Sequence, residues 1–183
     1  MFKCLSRWAV VVPFAISVLA FPASAIAQTF PVIEGYGGIH STSGTAERPD
    51  PALRYRVVFN VTKASPTPDK VNPTLDRMAR FINLLGGDGI RPMRGDVVAI
   101  VHGAATPLIM SDEAHRAKFG MTNPNLELIG RLHAAGAEVH VCSQALAGNK
   151  IAKEAVNGAV QVDAAALTTL ANLQLRGYAM IPD

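Results

Sequence analysis

From residue 56 onward, apolar positions recur with two alternating periods. Residues 56–62, Arg-Val-Val-Phe-Asn-Val-Thr, form a β-branched run that predicts a first strand. Pro66 and Pro68 break the chain. Leu75, Met78, Ala79, Ile82 and Leu85 then fall on one stripe at helical spacing, which predicts a helix over 73–85. Asn72 before Pro73 reads as a cap with proline at the first helical position, and Gly86-Gly87 reads as the stop. Residues 96–102 are almost continuously apolar, as in a strand covered on both faces, and Gly103 ends the run. Residues 107–120 are ambiguous, since Leu108, Ile109 and Met110 precede a polar, helix-compatible stretch. Asn123-Pro124 repeats the cap signal for a helix reaching about residue 135, with Leu126, Ile129, Leu132 and His133 as its inward positions.

The third expected strand is 137–142, followed by a turn or short helix over 143–148 and another helical piece over 151–156. Residues 159–162 form a short fourth strand. A helix is predicted over 164–176 with Leu167, Leu170 and Ala171 on its apolar face; Gly177 stops it, and 178–181 form the last strand. Strands alternating with helices imply βαβ crossovers. The expected fold class is therefore α/β: a single-domain, open, mainly parallel sheet of about five strands with helices on both faces.

The first part of the chain reads differently. Residues 1–27 have a short basic start with Lys3 and Arg7, an apolar stretch from Trp8 to Phe21, and small residues ending in Ala25 or Ala27. This three-part pattern predicts a cleaved export signal and a periplasmic location. The apolar stretch is shorter than the roughly 20 residues of a spanning helix, so no membrane association is expected after cleavage. Residues 28–53 lack periodicity and hold Gly35-Tyr36-Gly37-Gly38, a Ser/Thr run and Pro49-Asp50-Pro51; they read as an irregular arm. These glycines do not make a dinucleotide fingerprint. Residues 54–183 form the expected domain.

Charge narrows the function classes. The chain has 17 basic and 14 acidic residues; losing Lys3 and Arg7 leaves 15 against 14. A mature domain so close to neutral, with no Lys/Arg cluster, gives no argument for nucleic acid as a partner. Of the two cysteines, Cys4 leaves with the signal and Cys142 remains alone. An unpaired cysteine in an exported protein suggests a reactive thiol or intermolecular pairing, the alternative being a buried, inert side chain.

In open α/β sheets ligands bind beyond the carboxyl ends of the strands. Two polar residues fall at such ends: His102, followed by Gly103, and Cys142, followed by Ser143 and Gln144. A helix starting after Cys142 would favour its thiolate. Ser143 and Gln144 would donate hydrogen bonds to the sulfur or its substrate, and His102 would act as a base or order the turn. His133, His140 and Cys142 lack metal-ligand spacing, so no metal or cofactor is expected.

Tyr55 to Thr62, Val98 to Ala105, Asn123 to Ile129, Val139 to Gln144 and Leu173 to Ile181 together, in this order and spacing, resemble the DsrE/DsrF-like family. That resemblance implies a compact α/β domain forming homo-oligomers, often trimers or hexamers. It also implies, for some members, a sulfur relay in which a cysteine after a central strand carries sulfur as a persulfide between donor and acceptor proteins. Cys142 is the matching position. Three readings stay open: a periplasmic sulfur-handling protein, a non-catalytic oligomeric binding or scaffold module with Cys142 buried, and a redox partner that forms mixed disulfides with another protein or subunit.

Overall fold

The computed structural model describes residues 27–183. The expected signal segment therefore lies outside the described residues, but for Ala27. Five strands, β1 (Val57–Val61), β2 (Val97–Val101), β3 (Glu138–Cys142), β4 (Val160–Asp163) and β5 (Ala179–Ile181), form one sheet in the order β4-β3-β2-β1-β5. Every pairing is parallel. The helices are α1 (Pro73–Gly87), α2 (Asp112–Phe119), α3 (Leu126–Ala134), α4 (Ser143–Gly148) and α5 (Ala166–Leu175). The ambiguous segment resolves into a 3-10 helix, Gly103–Ile109, followed by α2.

The chain steps outward from β1 to β4, then α5 carries it back across the sheet to β5 on the far side of β1. Helix α1 follows its sequence signals closely. Asn72 Oδ1 accepts from Thr74 N at 2.9 Å, Pro73 opens the helix, and the predicted stripe of Leu75, Met78, Ala79, Ile82 and Leu85 is buried throughout. In α3 the cap differs from expectation. The helix starts after Asn125, and Asn123 instead donates from Nδ2 to the carbonyls of Leu108 and Met110. Leu128, Ile129 and Leu132 face inward, Leu126 packs at the margin, and His133 is exposed.

Helix α5 differs more. Ala166 and Leu173 are its buried residues, whereas Leu167 is 83% exposed and Ala171 also faces outward. The segment 164–175 carries no charge and is apolar around most of its circumference, so periodicity alone could not select the inward face.

The arm, 28–53, is ordered along part of its length by α1. The buried amide of Asn83 accepts from the backbone N–H groups of Val32 and Ile33 at 3.0 and 2.8 Å, and it donates to the carbonyls of Ile33, Tyr36 and Gly37. Gly37 lies so close to α1 that a Cβ there would stand 2.1 Å from Arg80 N. Ile33 thereby joins the main core, a contribution its irregular surroundings hid.

Candidate functional site

Strand geometry puts alternate residues on opposite faces. On β1, β2 and β3, the odd-numbered positions Val57, Phe59, Val61, Val97, Ala99, Val101, Val139 and Val141 join the core under α1 and α3. The even-numbered positions face α5. There Val58, Val98, Ile100 and Cys142 form a smaller buried cluster with Ala166 and Leu173.

Cys142 is the last residue of β3 and stands immediately before α4. It is only 5% exposed, and its sulfur makes no capping hydrogen bond to the short helix that follows. Val101 and Val141 are the last registered pair of β2 and β3. His102 and Cys142 each take the next step along neighbouring strands, so the sheet brings them to the same carboxyl edge.

His102 turns toward the other neighbour. Its Nε2 lies 2.7 Å from Oδ1 of Asn60 on β1. With a carbonyl oxygen on that side, Nε2 carries the proton and Nδ1 keeps its lone pair. Burial lowers the proton affinity of the ring, partly offset by the negative charge of Asp183. Gly103 follows with φ of 59°, a left-handed turn that leads the chain out of β2; its carbonyl accepts from Thr106 Oγ1 at 2.7 Å.

Ser143 and Gln144 point toward the loop after β4. Ser143 Oγ donates to the carbonyl of Ala164 at 2.7 Å, and Gln144 Nε2 lies 3.4 Å from Ser143 Oγ. Five expected residues thus gather at the ends of β2 and β3, but Ser143 and Gln144 are engaged with neighbours other than the sulfur.

Three polar groups on this face are not expected at the site from the sequence, in which His140 figures only as a candidate metal ligand. Asp163 on β4 is the registered partner of Cys142. His140 sits between carboxylates, Nδ1 2.9 Å from Asp163 Oδ2 and Nε2 3.4 Å from Glu138 Oε2. Asn60, which sets the tautomer of His102, is the third addition. The alternation Glu138-Val-His140-Val-Cys142 was the available signal, because it puts three polar residues on one face of a central strand. Among the described residues, no group of three or more His, Cys, Asp or Glu side chains is arranged to hold a metal ion, and no helix is long and apolar enough to cross a membrane.

A fourth polar assembly closes the edge at β1 and β5. The carboxylate of Asp183 accepts from the N–H and Oγ1 of Thr62, from Lys63 N and from Thr74 Oγ1. Burial alone would push this carboxyl up, but the hydrogen bonds from Thr62, Thr74 and Lys63 overcome it and hold the group below the usual carboxylate range.

The sequence profile of the DsrE/DsrF-like family matches residues 55–182, the entire sheet with its helices. The chain belongs to the DsrE/DsrF-like family. Membership in this family suggests a sulfur-related function. Two solved structures are similar to the chain: a protein of unknown function, MTH1491, from Methanobacterium thermoautotrophicum (18% identity, TM-score 0.49) and the ychN protein from E. coli (15% identity, TM-score 0.48). Each similarity covers 70% of this chain and 99% of the other. No curated protein matches it.

Proposed function

We propose that this DsrE/DsrF-like protein is exported to the periplasm, assembles as a homo-oligomer and carries sulfane sulfur on Cys142. The observation that supports this reading most is the position of Cys142, the single cysteine among the described residues, at the carboxyl end of a central strand beside His102.

In the proposed cycle the Cys142 thiol gives its proton to Nδ1 of His102, whose tautomer Asn60 selects. The thiolate attacks the outer sulfur of a donor persulfide, R–S–SH. A new S–S bond forms on Cys142, the donor's S–S bond breaks, and R–S⁻ leaves. An acceptor thiolate then attacks the outer sulfur of Cys142–S–SH, takes it, and regenerates the Cys142 thiolate. Neither transfer has a net oxidation. Ser143 and Gln144 would turn from the Ala164 carbonyl toward the incoming sulfur.

A second reading is favoured by burial: a binding or scaffold module in which Cys142 only fills the apolar space between Val98, Ile100 and Ala166. Mass spectrometry of the native mature protein after incubation with polysulfide separates the two. A one-sulfur increase on the Cys142 peptide, absent in Cys142→Ser, is the expected result. No added sulfur on the native protein, with alkylation of Cys142 only after denaturation, sinks the sulfur relay and leaves the module.

A further inference from the structure

A half-open cavity of about 170 Å³ lies on the carboxyl side of β1 and β2, between the loop after β1 and the 3-10 helix after β2. It is separate from the Cys142 cluster: its lining includes none of the residues that pack around the sulfur. Its walls are mainly apolar, with Pro66, Pro107, Leu108 and Phe119 among them, and among the described residues no Asp, Glu, Lys or Arg side chain lines it. This is the edge at which open α/β sheets take ligands.

One lining residue does not fit an inert void. His115 on α2 is only 3% exposed, yet its ring lines the cavity. Nδ1 lies 2.9 Å from the carbonyl oxygen of Met121, so Nδ1 carries a proton and donates. Phe119 packs beside the ring, with centroids 4.7 Å apart. Nε2 has no hydrogen-bond partner among the described residues. In the neutral ring that nitrogen is an acceptor, fixed in direction by the bond on the opposite side. The other buried amide at this wall, Asn125, accepts from the N–H of Asn72 and donates through Nδ2 to Asn123 Oδ1. The cavity thus offers His115 Nε2 as its buried acceptor, with the hydroxyls of Ser65 and Thr67 on the loop wall, within otherwise apolar walls.

We propose that this cavity binds a small neutral molecule with a ring-sized apolar body and one hydrogen-bond donor, for which phenol is the simplest probe. An apolar cavity of roughly 150 Å³ is enough for benzene, and a hydroxyl directed at His115 Nε2 adds a polar contact to the buried acceptor of the wall. The absence of charge from the lining selects against carboxylates, phosphates and amines, whose desolvation nothing here would offset.

The test is a titration of the mature protein with phenol, followed by NMR of the His115 and Phe119 rings. Saturable shifts with a dissociation constant of about 1 mM or tighter are expected. Toluene, which fills the same space without a donor, should bind about fivefold more weakly, because it leaves Nε2 unpaired. Ala104→Phe, at the exposed rim, should abolish the shifts without lowering the thermal midpoint. Cys142→Ser should bind phenol as the parent does, which keeps this site distinct from the sulfur reading. Shifts that fail to saturate up to about 50 mM phenol, or toluene binding as tightly as phenol, overturn the proposal. The comparison of the two ligands needs no variant and decides the matter even if Ala104→Phe proves unstable.

Discussion

The two faces of the sheet are built to different rules. Beneath α1 and α3, every strand position is aliphatic or aromatic, and the arm adds Ile33 to a cluster that runs from β1 to β4. Beneath α5, six buried residues share the face with Asn60, His102, Glu138, His140 and Asp163. One helix has to cover that second face, and it makes its main contacts with β1 and β2. The polar residues of β3 and β4 lie beyond it. The difference teaches where each property resides: cohesion comes from the α1/α3 side, and titratable chemistry gathers where cohesion has been given up.

The largest effect that would break this comparison is on stability. Ile82→Ala removes a fully buried side chain from the α1 stripe and should cost about 3–4 kcal/mol in urea unfolding. Leu173→Ala, on the α5 side, removes a side chain that is still 9% exposed and has few buried neighbours, and about 2 kcal/mol is expected. Equal losses would mean the two faces contribute alike. Next in size is Asn83→Ala, at about 2–3 kcal/mol, because it strands the N–H groups of Val32 and Ile33 and the carbonyl of Tyr36 under the arm. Its separate signature is proteolysis within the arm before the domain itself unfolds.

The same asymmetry explains what could be read from the sequence. The α1 side was legible because one face of α1 is apolar and the other polar, so Leu75, Met78 and Ile82 announce themselves by spacing alone. The sheet order follows less directly, and β5 beside β1 depends on α5 crossing back. The inward face of α5 was legible only in part: Leu170 packs against the inner cluster as expected, but Leu167, Ala171 and Leu173 are equally apolar, and only the docked helix shows that Leu173 is inside and the other two are not. Of the candidate site, the strand ends at His102 and Cys142 were legible from local pattern. Asn60 and Asp163 were not, since each reaches the site through strand pairing rather than through any neighbour in the chain.

A smaller effect tests whether the uncovered side of α5 stays uncovered. Leu167 and Leu175, the latter 87% exposed, stand on opposite sides of Ala171 along the outer stripe. If that stripe meets only water, Leu167→Glu should change stability by no more than about 0.5 kcal/mol and leave the sedimentation coefficient unaltered. If it lies between copies of the chain in the proposed oligomer, the same change should dissociate the assembly in sedimentation velocity. The second outcome is expected, since an uncharged helix that is apolar around most of its circumference is characteristic of a covered one.

The smallest effect is on pH dependence, and it sharpens the contrast within the α5 face itself. Burial holds the proton affinity of His102 below that of an ordinary imidazole, with Asp183 only partly opposing the shift. Below about pH 6.5 the unfolded chain therefore binds a proton more readily than the folded one, and stability should fall as the pH drops from there toward the lowered folded value. The Asp183 carboxylate, depressed by its hydrogen bonds, contributes stability that is lost only at more acidic pH, below the ordinary carboxylate range. Urea midpoints measured between pH 7 and 5 should thus report His102 and leave Asp183 silent. Asn60→Asp gives the sharpest form of the test. It sets a carboxylate where an amide oxygen now lies 2.7 Å from Nε2, favours the imidazolium, and should raise the folded pKa above the unfolded one. The slope in that window should then flatten or change sign, with stability present below pH 6.5 and lost as the pH rises. An unchanged slope in Asn60→Asp would mean that a group other than His102 carries the dependence in this window.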